Sequence, residues 1–149
     1  MEALKSFALL ILVLAFASKV DQSYCGRDSK YQLPLTDWTV TIINYQINAS
    51  LQVHCKSKDD DLGVHVIQNE GEHYSWGFKE NWLQTTKYWC DFQSKLGHAS
   101  FEVFWPERGT WFSDRCGSNS NCVWVAAHDG FSLLNAPAKT LEFQHPWLH

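Results

Sequence analysis

Histidine and lysine side chains are the first residues through which this chain could carry out chemistry. Seven histidines are spread along the sequence, and a secreted ribonuclease would need two of them, with a lysine, around a phosphate. His54 and His65 fall in strand-like segments, beside residues that we expect to point inward. No local pattern joins histidine, lysine and an aromatic residue in the way such enzymes require. We therefore predict structural histidines and a protein that is not an enzyme.

The acidic run Asp59-Asp60-Asp61 could supply oxygen ligands to calcium, which takes roughly six to eight of them. The run lacks the alternating D-x-D-x-D-G spacing of a calcium loop, and three consecutive side chains point in different directions. Carboxylates in a turn accept hydrogen bonds from nearby backbone N–H groups instead. The chain also has no G-x-S-x-G, no G-x-G-x-x-G and no P-loop. We predict neither a metal nor a cofactor.

The five cysteines are Cys25, Cys55, Cys90, Cys116 and Cys122. Their spacing contains no repeated C-x-x-C pair, so in an oxidising compartment they predict disulfides rather than a zinc site. We expect two bridges among the last four and favour Cys55–Cys122 with Cys90–Cys116, because inward-facing cysteines of two packed sheets can meet. Cys25 is then the odd cysteine, which either stays free or links two chains into a dimer.

The N-terminal residues predict secretion. An apolar run follows Lys5, and Ala15-Phe16-Ala17 places small residues at the −3 and −1 positions of a cleavage site. The run of about a dozen apolar residues is shorter than the roughly 20 that a bilayer requires. We therefore predict a signal peptide at 1–17, a short polar arm at 18–35 and one domain at 36–149, in an extracellular protein.

Short β-rich runs must position the functional residues, since no stretch shows helical periodicity and no segment repeats. Eight runs with turn signals between them predict strands. They are Trp38–Asn44, Ser50–Ser57, Val64–Ile67, His73–Phe78, Thr86–Phe92, Ala99–Trp105, Cys122–Ala127 and Phe131–Leu134. This pattern predicts an all-β fold, a single-domain antiparallel β-sandwich of about eight strands stapled by two disulfides.

Charge and surface motifs narrow the choice of partners. A net charge of −4 and the absence of a basic cluster argue against nucleic acid. Asn48-Ala49-Ser50 is the one N-x-S/T sequon, which predicts N-glycosylation at Asn48. Trp82 and Trp111 lie in predicted loops, where such residues either contact a sugar or a protein or cap the ends of the core.

Several motifs together resemble the plant self-incompatibility protein family, also called S-protein homologues. Those that match it in order and spacing are 39–44, 51–63, 74–78, Trp89-Cys90, Cys116, and Cys122-Val123-Trp124 through Asp129-Gly130. The resemblance covers nearly all of the predicted mature chain. It implies a small secreted β-sandwich in which four cysteines, here Cys55, Cys90, Cys116 and Cys122, form two disulfides, and it implies no established catalytic residue. Cys25 and the loop at 106–112 depart from the family pattern.

The resemblance also implies a class of function, because the founding members are pistil-secreted ligands that inhibit incompatible pollen through a pollen membrane receptor. It does not assign that role to this chain. We expect a recognition protein that binds a membrane receptor through loops at 56–62, 80–85 and 106–121. The candidate contact residues are Lys56, Lys58, Asp59, Asp60, Trp82 and Trp111. The alternative is an extracellular carbohydrate-binding module that holds a glycan with Trp82 and Trp111.

Overall fold

Two β-sheets make up the part of the chain that the computed structural model describes, namely residues 37–81, 83–106 and 109–149. The elements in order are β1 (Asp37–Asn44), β2 (Leu51–Lys56), β3 (Asp61–Ile67), β4 (His73–Lys79), β5 (Tyr88–Ser94), β6 (Gly97–Phe104), α1 (Trp111–Cys116), β7 (Asn121–Ala126), β8 (Gly130–Asn135) and β9 (Thr140–Pro146). One sheet has the order β4-β1-β7-β8-β9, and the other has the order β3-β2-β5-β6. The predicted signal peptide, the polar arm and Cys25 lie outside the described residues.

Alternating burial along the strands forms the core between the two sheets. Val40 and Ile42 of β1 and Val53 of β2 are fully buried, whereas their sequence neighbours are more exposed. Aromatic rings fill the space between the sheets, with Phe104 packed 5.2 Å from Trp38, measured between ring centroids. The predicted all-β sandwich is therefore confirmed, with nine strands where the sequence predicted about eight.

Three features differ from the prediction. The helix α1 has six residues, fewer than two turns, so it is too short to show a helical period. Strand β9 exposes Leu141 and Phe143 to solvent, at 56% and 53%, and none of its seven residues is buried, so it lacks the buried apolar face by which a strand is recognised in a sequence. Strands β1 and β7 pair in parallel rather than antiparallel as predicted, because the chain returns after β6 to the end of the sandwich at which β1 also begins.

The disulfide pairing predicted from the sequence is wrong. The same four cysteines form two bridges, but these are Cys55–Cys90 and Cys116–Cys122. Strands β2 and β5 are neighbours in one sheet, and their register puts Cys55 opposite Cys90 with the Cα atoms 4.0 Å apart. Cys122 lies in the other sheet, and the helix that the sequence did not reveal brings Cys116 to it. Because all four are paired, Cys25 has no cysteine left to bridge within its own chain, and a disulfide-linked dimer stays a prediction.

Strand directions distribute the connections between two ends of the sandwich. The end that we call the loop end carries the connections 57–60, 80–87, 105–120 and 136–139. The opposite end, which we call the sequon end, carries 45–50, 68–72, 95–96 and 127–129. All three loops predicted to bind a partner therefore belong to the loop end, and the sequon belongs to the other.

The C-terminal segment closes one side of the sandwich at the sequon end. The backbones of His98 and Leu148 exchange two hydrogen bonds, of 2.9 and 2.8 Å, and so join this segment to β6. Trp147 is 7% exposed and donates its indole N–H to the Ala127 carbonyl at 2.9 Å. At Gly97 a Cβ atom would collide with the Leu148 carbonyl, so this close approach needs glycine.

Candidate functional site

A groove at the loop end brings together two of the loops that the sequence singled out. It lies between the β2–β3 turn and the β4–β5 connection and has a volume of about 440 Å³. Its lining residues are Ser57, Lys58, Asp59, Asn81, Leu83, Thr85, Thr86, Lys87 and Trp89. We call this feature the end groove.

Internal hydrogen bonds fix the β2–β3 turn on one side of the groove. The Ser57 amide donates to the Asp60 carbonyl at 2.7 Å, and the Asp61 carboxylate accepts from the Gly63 amide at 2.9 Å and contacts His54 Nε2 at 2.6 Å. The hydrogen bond from the Gly63 N–H lowers the pKa of the Asp61 carboxyl most, and the hydrogen bond with His54 lowers it further. The predicted role of these carboxylates as acceptors within the turn therefore holds for Asp61.

The charged side chains at the tip of the same turn face solvent. Lys58, Asp59 and Asp60 are exposed, and none of them forms an ion pair with another residue in the described part of the chain. Lys56 lies at the end of β2, half-buried and opposite Trp89 of β5. Three of the four predicted charged contacts thus project from a turn whose backbone is already held in place.

One asparagine organises the β4–β5 connection on the other side of the groove. The Asn81 side chain accepts from the Thr85 amide and donates to the Thr85 hydroxyl, both at 2.8 Å. Its backbone amide donates to the Thr86 hydroxyl at 3.0 Å. Leu83 is 59% exposed on this connection, so the two sides of the groove combine a fixed backbone with an exposed apolar side chain.

The groove joins an aromatic surface to charges of both signs. Trp89 is partly exposed on the outer face of β5, between Lys56 on β2 and Glu102 on β6. Glu102 also forms an ion pair with Lys87, with 2.7 Å between Lys87 Nζ and Glu102 Oε1. An aromatic anchor within a mixed, exposed polar rim is the composition that protein-binding surfaces share.

Trp111 does not present a free ring. It lies in α1, with its ring centroid 5.0 Å from that of Trp105 and 4.8 Å from that of Phe112. The Arg115 guanidinium covers the ring at 4.4 Å and contacts Glu142 of β9 through its Nε at 2.5 Å. Trp111 is therefore half-buried and caps the core, which is one of the two roles predicted for it. Trp82 lies outside the described residues.

Comparison with known proteins identifies the family. The family model of plant self-incompatibility protein S1 matches residues 39–147. The chain belongs to the plant self-incompatibility protein S1 family. S-protein homolog 1 of Arabidopsis thaliana is 31% identical over 99% of this chain and 97% of its own length. S-protein homolog 27 of the same plant is 39% identical over 77% of this chain and 70% of its own.

A solved structure of self-incompatibility protein homologues supports the fold. It aligns with a TM-score of 0.50 at 16% identity, over 77% of this chain and 93% of the other. Those homologues form a widespread family of small, highly stable, secreted proteins from plants. The extracellular location predicted for this chain is confirmed by its membership of this family of secreted proteins. Among its described residues, no helix combines the length and the apolar character needed to cross a bilayer.

The histidines of this S1-family protein are dispersed. His54 contacts Asp61, His65 stacks on Tyr74 with ring centroids 3.8 Å apart, and His145 stacks on Phe101 at 4.1 Å. Within the described ranges, no group of three or more His, Cys, Asp or Glu side chains could hold a metal ion. The arrangement favours packing and turn formation as the roles of these histidines.

The sequence did not predict Thr86, Lys87 and Trp89 as groove residues, and it included Asn81 only as part of the loop at 80–85. A signal for Trp89 was present, because Tyr88, Cys90 and Phe92 all point inward and the intervening tryptophan must then point outward. No comparable signal marked Asn81, whose importance comes from hydrogen bonds within its own loop. Sequence alone also could not show that this loop and the β2–β3 turn share one groove.

Proposed function

We propose that this S1-family protein is a secreted, non-catalytic recognition protein that binds a cell-surface receptor protein through the end groove and its rim. The observation that carries the proposal is the convergence of two predicted loops on one groove. Both loops are held by their own hydrogen bonds. A surface ordered before binding loses less conformational entropy when the partner arrives.

The size of the loop end fits a protein partner. A stable protein interface buries roughly 800 Å² on each side, so a receptor would contact the rim of the end groove as well as its interior. The connection at 105–120 belongs to the same end and would extend the contact surface. Lys58, Asp59 and Asp60 lack ion pairs with described residues, and they would supply electrostatic steering and register on such a surface.

A glycan ligand is the second candidate, and Trp89 is the observation that favours it. A tryptophan ring beside the amide of Asn81 and the hydroxyls of Thr85 and Thr86 resembles a sugar-binding surface in its chemistry. The carbohydrate-binding alternative was predicted at Trp82 and Trp111. For this second candidate we propose Trp89 instead of Trp111, because Arg115 covers the Trp111 ring.

Binding of labelled, oxidised mature protein to plant plasma-membrane and cell-wall fractions tests the proposal, with reduced protein as the control. We expect saturable binding to the membrane fraction that trypsin treatment of the membranes abolishes and that reduction of the disulfides weakens. Binding to the wall fraction that soluble oligosaccharides compete away would instead establish the glycan reading. Equal binding by reduced and oxidised protein would contradict both.

A further inference from the structure

The sequon lies in a loop that is held from inside the molecule. The buried Asn44 side chain donates to the Ala49 carbonyl at 2.7 Å and accepts from the Gln46 amide at 3.1 Å. Gln46 is 1% exposed and accepts from the Ser94 hydroxyl at 2.5 Å. The loop therefore has a fixed shape, although it lies on the surface.

Asn48 is presented outward by this loop. It has a φ of 54°, a left-handed conformation that asparagine tolerates better than most residues, and it is exposed. Lys95 holds its backbone carbonyl at 2.6 Å, but its side-chain amide makes no hydrogen bond with any described residue. The amide nitrogen that a transferase would modify is thus free, and Ser50, the third sequon residue, is exposed as well.

Exposed apolar surface surrounds the sequon. Tyr45 is 59% exposed and Ile47 is 72% exposed, the highest value among the large hydrophobic side chains of the described residues. They lie along a second groove of about 470 Å³, whose lining residues are Tyr45, Gln46, Ile47, Lys95, Leu96, Ala127, His128 and Asp129. We call it the sequon groove. It combines an apolar wall with Lys95, His128 and Asp129, which can hydrogen-bond to hydroxyl groups.

We propose that Asn48 carries an N-linked oligosaccharide whose first sugars pack on Tyr45 and Ile47 and occupy the sequon groove. The attachment point lies three residues from Tyr45 and one from Ile47, so the sugar is tethered beside the apolar surface. The C–H face of a pyranose ring covers an apolar or aromatic surface, while its hydroxyl edge meets the polar groups of the groove. The glycan thereby removes from solvent an apolar patch that would otherwise be exposed.

The covalent step is the ordinary transfer from a lipid-diphosphate-linked oligosaccharide during secretion. Asn48 Nδ2 loses one proton to a base of the transferase and forms a bond to C1 of the first sugar. The bond from C1 to the diphosphate oxygen breaks, and the lipid diphosphate leaves with the electron pair. The modification lies at the end of the sandwich opposite the end groove, and it does not depend on the receptor proposal.

Occupancy is tested on the full chain secreted from plant cells. The intact mass of the wild type should exceed that of Ser50→Ala by one oligosaccharide, and peptide N-glycosidase should remove the difference and leave aspartate at position 48. Ser50→Ala is preferred because it removes the sequon hydroxyl and keeps Asn48 in its left-handed conformation. A wild-type mass that exceeds that of Ser50→Ala only by the serine oxygen would overturn the proposal.

Packing is tested by thermal unfolding of four proteins, with and without Tyr45→Ala and with and without the glycan. We expect Tyr45→Ala to lower the midpoint by about 2–5 °C in the glycosylated protein and by clearly less after deglycosylation or in Ser50→Ala. Leu141→Ala is the matched control, because Leu141 is 56% exposed and lies near the other end; its effect should not depend on the glycan. An equal effect of Tyr45→Ala in both forms would overturn the packing on Tyr45.

Discussion

At the scale of single residues, the two disulfides differ in how much of the chain they constrain. Cys55 and Cys90 are 35 residues apart, and Cys116 and Cys122 are six apart. On the chain-entropy model the longer loop contributes about 4 kcal/mol and the shorter about 2 kcal/mol to the free energy of unfolding. The bridge within the four-stranded sheet is therefore the stronger constraint on the unfolded chain.

Replacing both cysteines of a bridge by alanine tests this difference. We expect Cys55→Ala/Cys90→Ala to lower the free energy of unfolding by about 4 kcal/mol and Cys116→Ala/Cys122→Ala by about 2 kcal/mol. Equilibrium unfolding in guanidinium chloride measures both values. The reverse order would show that bond strain or the packing of α1, rather than loop closure, determines what each bridge contributes.

A second residue-scale prediction concerns His145, which stacks on Phe101. Burial lowers its pKa below the ordinary value of 6.5. As the pH falls through about 6.5, the unfolded chain therefore takes up the proton before the folded protein does, and the folded state loses stability. His145→Phe keeps an aromatic ring on Phe101 and cannot titrate. Its free energy of unfolding, measured between about pH 7 and about pH 5, should fall less than that of the wild type; parallel curves would refute this.

At the scale of elements, the C-terminal segment at 147–148 connects the two sheets by contacting both of them. Trp147 is buried against Phe131, with ring centroids 4.5 Å apart, and the segment then pairs with β6 at His98. Truncating a buried tryptophan to alanine costs about 3–5 kcal/mol, whereas Trp147→Phe should lose mainly the hydrogen bond to Ala127, about 1 kcal/mol.

Amide hydrogen exchange measures whether the C-terminal segment detaches from β6. In Trp147→Ala we expect the amides of His98 and Leu148 to exchange faster, because their mutual hydrogen bonds depend on the anchored segment. The amides of β1 should stay protected, since that strand is interior to its sheet. Unchanged exchange at His98 would mean that β6 is held without the C-terminal segment.

Element-scale features also show why part of the fold could be read from the sequence. A strand with one buried face, such as β2 with Leu51, Val53 and Cys55, can be recognised in the sequence because apolar and polar residues alternate along it. Strand β9 cannot, because its alternating Leu141 and Phe143 face solvent. The pairing of cysteines needed the order of strands within each sheet, which depends on crossovers between sheets and leaves no local signal.

Some residues of the candidate site could likewise be predicted from the sequence, and others could not. The charges of the β2–β3 turn could be located because an abrupt polar run between strands is a local pattern. Trp111 was ambiguous because exposure depends on tertiary neighbours, here Arg115 and Trp105. The contribution of Asn81 to the end groove was invisible for the same reason.

At the scale of the whole molecule, the sandwich separates two chemically different ends. The loop end offers internally hydrogen-bonded loops on which Lys58, Asp59 and Asp60 form no ion pair with any described residue, and the sequon end offers an apolar groove beside Asn48. With a glycan at the sequon end, a receptor would approach the loop end without obstruction. The two sheets, which the disulfides stabilise, keep the loop end and the sequon end on opposite sides of the molecule.

The most direct test of the receptor proposal exchanges two charges at the tip of the β2–β3 turn. Lys58→Asp/Asp59→Lys keeps the composition of that pair and the net charge, and it reverses the local charge pattern that a partner would read. Glu70→Lys/Lys95→Glu does the same at the sequon end and serves as the matched control. Saturation binding to plant plasma-membrane fractions, with the fold checked by thermal unfolding, measures the effect.

We expect the swap at the loop end to weaken binding at least about tenfold, because like charges then meet across the interface. The swap at the sequon end should leave the affinity within about twofold, well below the 1.4 kcal/mol of a tenfold change. Equal affinities for the wild type and the loop-end swap, in folded proteins, would contradict the end groove as the receptor-binding surface.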